Sequence, residues 1–366
     1  MHANTSTESG ETRRPLLEVN DLTVEFRTEA GIAQAVNGVS FTLAEGEILG
    51  LVGESGSGKS VTAMSLLGLV PQPPARLRKG QALFDGRDLL TLERRELRRV
   101  RGGQVGVVFQ DPMTALNPVQ KVGKQIGEVL RLHNREMSPR ELTTRAVDLL
   151  SLVGVPQPDV RVRQHPHELS GGLRQRVMIA IAIANNPRLL IADEPTTALD
   201  VTIQAQVLMM LRKAQQETGA ATLLITHDLG VVAQMAERVI VMYAGRIVEQ
   251  GPVREIFARP RHPYTVGLLD SLPRLDQDDE QLRPIRGNPP SLLNPPDGCA
   301  FAARCGLRQG RDRCLTERPE LVEVGDGRLS ACHFHDELVD PDAGGPVAEP
   351  AEQRAADRET VEAVDE

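Results

Sequence analysis

Apolar positions divide the chain into short alternating blocks. Leu17–Phe26 alternates apolar and polar residues, the period of a half-buried strand, and Ser40–Leu43 and Glu47–Val52 read as further strands. A Gly-rich turn follows, then the apolar run Val61–Leu69, which predicts a helix and completes a strand–loop–helix unit. Arg76–Arg101 is mixed in pattern and reads as surface strands with a short helix over Leu92–Arg99. Gln104–Phe109 predicts a buried strand and Gly123–Leu132 a helix. Ser138-Pro139-Arg140-Glu141 carries a helix start, with Ser as N-cap, Pro in the first turn and Glu placed to reach back, and that helix runs to Leu152 and stops at Gly154. Gly171–Ala184 and the amphipathic Thr202–Glu217 are helices; Arg188–Ala192, Thr222–Thr226 and Arg238–Tyr243 are strands. Strands that alternate with helices, several of them almost uniformly apolar, predict an α/β fold whose mostly parallel sheet is covered on both faces.

Beyond about Glu255 the periodicity fades and Pro becomes frequent, so a boundary is expected near Ala258–Arg261. All four Cys fall after it. With only 2% aromatics and no Trp, the core must be aliphatic, which also disfavours a nucleic-acid surface built on base stacking. The net charge of −8 is unevenly placed: Asp336–Glu366 holds 11 acidic and 2 basic residues, leaving the remainder about neutral. That Ala-, Pro- and acid-rich segment, 336–366, and the polar residues 1–15 read as disordered. The first 15 residues contain no apolar stretch of the kind found in a signal peptide, and four Cys without such a signal suggest reactive or metal-bound thiols in a reducing compartment. No run approaches the roughly 18 apolar residues that a membrane helix needs, so any membrane role would work through partner subunits. The basic stretch Arg76–Arg101 reads as a solvated face with a few partner contacts, with nucleic acid or anionic lipid as the alternative.

Candidate chemistry begins at Gly53-Glu54-Ser55-Gly56-Ser57-Gly58-Lys59-Ser60, followed by Val61. Small residues let successive backbone N–H groups turn inward around phosphates, and the next helix presents its positive N-terminus to the same anion. In this pattern Lys59 reaches the β- and γ-phosphates and Ser60 ligates Mg²⁺. Leu189-Leu190-Ile191-Ala192 is an apolar strand that ends in Asp193 and Glu194. Asp193 would hold the Mg²⁺ and Glu194 would act as general base on the attacking water.

These parts suit any phosphate-loop ATPase. Leu169-Ser170-Gly171-Gly172-Leu173 narrows the reading, because it resembles the signature of ABC ATPases, with Leu173 where Gln is usual. From about Leu16 to Ala258 the resemblance is continuous. It implies a fold with a helical subdomain and an antiparallel β subdomain. It also implies a signature, Leu169 to Gly172, that binds the γ-phosphate of ATP held by the opposite subunit. By the same resemblance Gln110 is the Q-loop glutamine, which contacts Mg²⁺. Thr197-Ala198-Leu199-Asp200 is the D-loop, with Thr197 in place of Ser, and His227 is the switch histidine. Phe26 is either the aromatic that stacks on adenine or an ordinary core residue. With one copy of each motif, one chain forms half of two composite ATP sites, and a dimer is required.

Two further segments, Gln110-Asp-Pro-Met-Thr-Ala-Leu-Asn-Pro118 and Arg261-His-Pro-Tyr-Thr-Val-Gly-Leu-Leu-Asp-Ser-Leu-Pro273, are similar to the ATPase subunits of oligopeptide, dipeptide and nickel ABC importers. The resemblance divides the chain into 1–15, an ATP-binding domain at 16–258, a C-terminal extension at 259–335 and an acidic tail at 336–366. It implies two membrane permeases, a second ATPase subunit (a paralogue) and an extracytoplasmic binding protein, with no nucleic-acid partner. The resemblance further implies that the chain works at the cytoplasmic face of the inner membrane. Cys299, Cys305, Cys314 and Cys332 lack the tight pair spacing of structural zinc, whereas four thiolates suit a [4Fe–4S] cluster. The surrounding Gly-Cys299-Ala-Phe-Ala-Ala-Arg-Cys305 and Ala331-Cys332-His333 look like this family's extension, except that Gly306 replaces the Pro usual after the second Cys. Zinc and four free thiols remain open for this set. A soluble ABC ATPase and an iron–sulfur sensor are the competing functions, although the single motif set and the lack of sustained heptads disfavour the first.

Overall fold

A computed structural model describes residues 13–197, 199–271 and 285–338. The acidic tail beyond 338, the N-terminal residues to 12 and Ala198 of the predicted D-loop lie outside the described residues.

The N-terminal alternation folds as a long antiparallel hairpin. Pro15–Thr28 pairs with Gly31–Ala44 on one side and Ala75–Phe84 on the other, and Arg87–Asp88 completes a four-stranded sheet. The prediction at Ser40–Leu43 caught only the end of the second strand, because its first half opens on the exposed Gly31 and Ile32 and does not alternate cleanly. This sheet buries Leu17, Leu22, Val36, Phe41 and Phe84 against the first strand of the main sheet.

In the main sheet five parallel strands carry the predicted apolar runs. Their order is Arg238–Tyr243, Ile48–Val52, Ala221–Ile225, Leu189–Asp193, Val105–Val108. Three of them, Ile48–Val52, Leu189–Asp193 and Ala221–Ile225, are buried at every position, as expected of strands covered on both faces. Arg246–Pro252 adds an antiparallel strand beyond Arg238–Tyr243. The sequence reading did not resolve this strand: Glu249 and Gln250 break its apolar pattern, yet Glu249 is fully buried.

A separate helical layer packs Val122–His133, Pro139–Leu152 and Gly171–Ala182 through Ile126, Leu130, Leu149, Leu150 and Val177. The start of Pro139–Leu152 is the predicted capping box: Ser138 Oγ accepts from the Glu141 N–H, and the Glu141 carboxylate accepts from the Ser138 N–H at 2.7 Å.

The C-terminal extension is built onto the main sheet. Leu329–Ser330 pairs with Glu249 and Gln250, and the Ala331 N–H donates to the Val248 carbonyl at 2.8 Å. Tyr264 and Phe301 share a core with Val52, Val239, Val241 and Tyr243. Among the described residues no helix is long and apolar enough to cross a membrane.

Candidate functional site

The site lies at the C-terminal ends of the parallel strands. Strand Ile48–Val52 feeds directly into Gly53, whose φ of 149° and lack of side chain are both needed: a Cβ there would stand 2.1 Å from the Met242 carbonyl oxygen. The loop closes at Gly58, and the helix Lys59–Leu66 begins with the predicted lysine. Lys59 is buried, and its Nζ donates to the Gly53 carbonyl at 2.8 Å and the Glu54 carbonyl at 2.9 Å. Burial pushes its ammonium below the usual pKa, against the attraction of Glu194, Asp193 and Glu54. Ser55 and Gly56 are exposed at the loop tip, Val61 is half-buried, and the buried Ser57 Oγ has no hydrogen-bond partner. An unsatisfied hydroxyl within a ring of backbone donors suits an anionic ligand.

Strand Leu189–Asp193 brings two carboxylates to this loop. Ser60 Oγ donates to Asp193 Oδ1 at 2.8 Å. Burial raises the Asp193 pKa, with the Ser60 hydrogen bond and Lys59 opposing and Glu194 reinforcing the shift. Glu194 adopts a left-handed φ of 45°, and its N–H donates to the Ile225 carbonyl at 2.9 Å. Its Oε2 is a meeting point. Gln110 Nε2 donates to it at 3.0 Å, Thr197 Oγ1 donates at 2.7 Å, and His227 Nδ1 stands at 3.5 Å. Residues separated by up to 117 positions in sequence therefore converge on one carboxylate oxygen of a side chain that is 14% exposed.

The other predicted positions have more local roles. Asp200 caps the helix Val201–Thr218, accepting from the Ile203 N–H at 3.0 Å. Leu199 packs at the edge of the helical core. Ser170 is exposed at the N-cap of Gly171–Ala182, and its side chain makes no capping hydrogen bond. Leu169 is buried, and Gly172 allows close packing, since a Cβ there would meet Ile203 Cγ2 at 2.7 Å. Among the described residues, Leu169 to Gly172 make no hydrogen bond to the phosphate loop of the same chain. Phe26 is half-buried, pairs with Ala33 and Ala75, and packs at the edge of the β-subdomain core.

The four Cys, spread over 34 residues of sequence, line one small cavity with His262, Phe301, Leu307 and Phe334. Burial raises all four thiols, Cys299 to about 11 and Cys332 to about 12. No three of their sulphurs lie within 4.8 Å of one another; among the described residues only His165, His167 and Glu168 meet that spacing, on the surface. Sequence reasoning gave no role to Tyr264 or Arg304, although both touch the phosphate loop: the Glu54 N–H donates to the Tyr264 hydroxyl at 2.8 Å, and Arg304 pairs with the Glu54 carboxylate. The only sequence signal was their place inside two segments of recognisable pattern.

A phosphate loop, paired acids at a strand end, a glutamine, a histidine and a separate Ser-Gly-Gly helix start on this mixed sheet define an ABC-type ATPase. Comparisons agree. The ABC transporter family matches residues 36–197, and the "Oligopeptide/dipeptide transporter, C-terminal region" family matches 248–314. The ATP-binding cassette MJ0796, in a dimeric post-hydrolysis state bound to ADP and Pi, superposes with a TM-score of 0.59 at 29% identity, covering 65% of this chain and 99% of that one. The oligopeptide transport ATP-binding protein OppD of Bacillus subtilis is 53% identical over 92% of each chain. The dipeptide transport ATP-binding protein DppD of Lactococcus lactis is 50% identical over 90% of this chain and 92% of its own. The chain belongs to the family of oligopeptide/dipeptide transport ATP-binding proteins.

Proposed function

We infer that this chain is the ATP-hydrolysing subunit of an importer that takes up di- or oligopeptides through partner membrane proteins. The names of its relatives favour peptides over nickel as cargo. The observation that carries the enzymatic reading is the convergence of Gln110, Thr197 and His227 on Glu194 Oε2, beside the Ser60–Asp193 pair.

The phosphate loop, Gly53 to Ser60, holds the triphosphate, and Lys59 gives up its two carbonyl partners to meet the β- and γ-phosphates. Ser60, Asp193 and Gln110 offer oxygen donors that fit Mg²⁺, which when bound neutralises charge on the β- and γ-oxygens. Glu194 Oε2 takes a proton from water as the water oxygen attacks the γ-phosphorus; the bond to the bridging oxygen breaks and ADP departs. Thr197 and Gln110 fix that carboxylate, and His227 holds the γ-phosphate and the water. Phe26 is the candidate adenine-stacking ring. Ser170, Gly171 and Gly172, which among the described residues make no hydrogen bond to their own loop, serve the ATP of a second ATPase subunit, a paralogue, so closure of the pair is the motion passed to two permeases. An extracytoplasmic binding protein delivers the peptide, and the chain works at the cytoplasmic face of the membrane.

The division at 258/259 separates the catalytic unit from the extension. There the four Cys hold a [4Fe–4S] cluster. Four sulphurs on one zinc ion sit about 3.8 Å apart, given Zn–S bonds of about 2.3 Å. No three of the sulphurs here stand within 4.8 Å of one another, so the set as folded is not closed around a single ion, and four thiolates are the ligand set of such a cluster.

Cells whose only copy carries Glu194→Gln test the function. Peptide uptake is expected to fall to background while the subunit assembles normally; wild-type uptake would overturn the assignment.

A further inference from the structure

Glu54, the second residue of the phosphate loop, is held from outside the ATPase core in two ways. Its N–H donates to the Tyr264 hydroxyl at 2.8 Å. Its carboxylate receives both terminal nitrogens of Arg304, at 2.8 and 2.9 Å, a two-point pair that a lysine could not reproduce. Tyr264 follows the His262-Pro263 helix entry, and Arg304 immediately precedes Cys305, so both belong to the C-terminal extension.

Neither residue is placed loosely. The Arg304 side chain is 5% exposed; its Nε donates to the Arg286 carbonyl at 2.9 Å and its remaining contacts reach the Ile285 carbonyl and the Tyr243 hydroxyl. Tyr243, Tyr264 and Phe301 pack as an aromatic trio with centroids 4.6, 5.3 and 5.4 Å apart, and the Arg304 guanidinium stands 5.8 Å from the Tyr243 and Phe301 rings. Glu54 is also the residue whose carbonyl Lys59 engages. When Lys59 turns to a phosphate that bond is lost, and the Ser57 N–H, 3.1 Å from the same carbonyl, and the ties to Tyr264 and Arg304 remain to hold the loop's entry. Charge gives a second reason. A bare carboxylate at the mouth of an anion site would repel a triphosphate, and Arg304 neutralises it at contact distance.

We propose that Arg304 and Tyr264 are positioning residues for ATP binding: the C-terminal extension clamps Glu54, fixing the phosphate loop and cancelling its negative charge. The proposal rests on the ATPase reading above. It differs from a merely structural role in one respect, because removing the Glu54 charge should compensate for the loss of Arg304.

The test uses the full chain assembled with its partner ATPase subunit and fluorescent ATP binding, with steady-state hydrolysis measured in parallel. Arg304→Met, which keeps the apolar stem, is expected to weaken ATP binding about tenfold, equivalent to about 1.4 kcal/mol, raising KM while kcat stays within about twofold. Arg304→Met with Glu54→Gln is expected to recover most of that loss. A dissociation constant within about twofold of wild type for Arg304→Met would overturn the proposal, as would a double variant no better than the single one. If Arg304→Met loses its near-ultraviolet dichroism, Tyr264→Phe and Arg304→Lys carry the test; each is expected to weaken binding a few-fold, and wild-type affinity in both would overturn it. Failure of the wild-type chain to bind ATP would instead sink the ATPase reading.

Discussion

Two glycines of the same loop should respond very differently to one methyl group. At Gly53 an added Cβ would lie 2.1 Å from the Met242 carbonyl oxygen and 2.9 Å from Ser57 Oγ, and the backbone has a φ of 149°. At Gly56 the φ is 78°, and nothing lies within 4 Å of the position a Cβ would take. Gly56→Ala therefore carries backbone strain alone, about 1–2 kcal/mol. Gly53→Ala adds a backbone clash to strain of about 1–3 kcal/mol, and overpacking costs about a further 1–3 kcal/mol. The sum, roughly 2–6 kcal/mol, is a large part of the whole stability of a domain, about 5–15 kcal/mol. Urea unfolding of the two variants beside wild type, with ATP binding in the same samples, measures the contrast. Gly53→Ala should lose both stability and ATP binding, and Gly56→Ala should lose little stability. Equal costs at the two positions would refute the claim that the close approach of Met242 shapes the loop.

The buried Glu249 makes a pH prediction. Desolvation raises its pKa from 4.5 to about 7, even though Oε1 accepts from the Arg261 N–H. Because the folded state keeps its proton while the unfolded chain has lost it, this group's contribution favours folding most below about pH 4.5 and declines as pH rises to about 7. At about 1.4 kcal/mol per pKa unit the decline is about 3 kcal/mol. Relative to Glu249→Gln, wild-type stability should fall by that order between pH 5 and 8 in denaturant titrations, and parallel curves would count against it. For the Cys cavity, anaerobically purified protein should contain about four iron and four sulfide per chain with visible absorbance lost in Cys314→Ser; zinc as the only bound metal would refute the cluster.

Much of the catalytic half was legible because its chemistry is local. Gly53 to Ser60 and Leu189 to Glu194 each state a strand end and its cargo within a few residues, and the structure places them side by side. The helix start at Ser138 was readable for the same reason. What escaped depends on distance in sequence. Arg304 and Glu54 are 250 residues apart, and no periodicity links them. Strand Arg246–Pro252 was hidden because Glu249, a residue that normally marks the surface, is buried by the returning extension. The convergence on Glu194 Oε2 likewise follows from strand order, Ile48–Val52 beside Ala221–Ile225 beside Leu189–Asp193, which brings His227 and Glu194 to adjacent strand ends. The family resemblance named these residues without showing that one oxygen joins them.

Single-turnover hydrolysis by Glu194→Gln tests the central assignment most directly. Loss of a general base costs about 10²–10⁴-fold in rate, so the variant, assembled with its partner ATPase subunit, should bind ATP as tightly as wild type, hold it unhydrolysed and accumulate as a nucleotide-locked dimer. Hydrolysis at the wild-type rate, with no such dimer, would contradict the role given to Glu194 and to the three side chains gathered on its carboxylate.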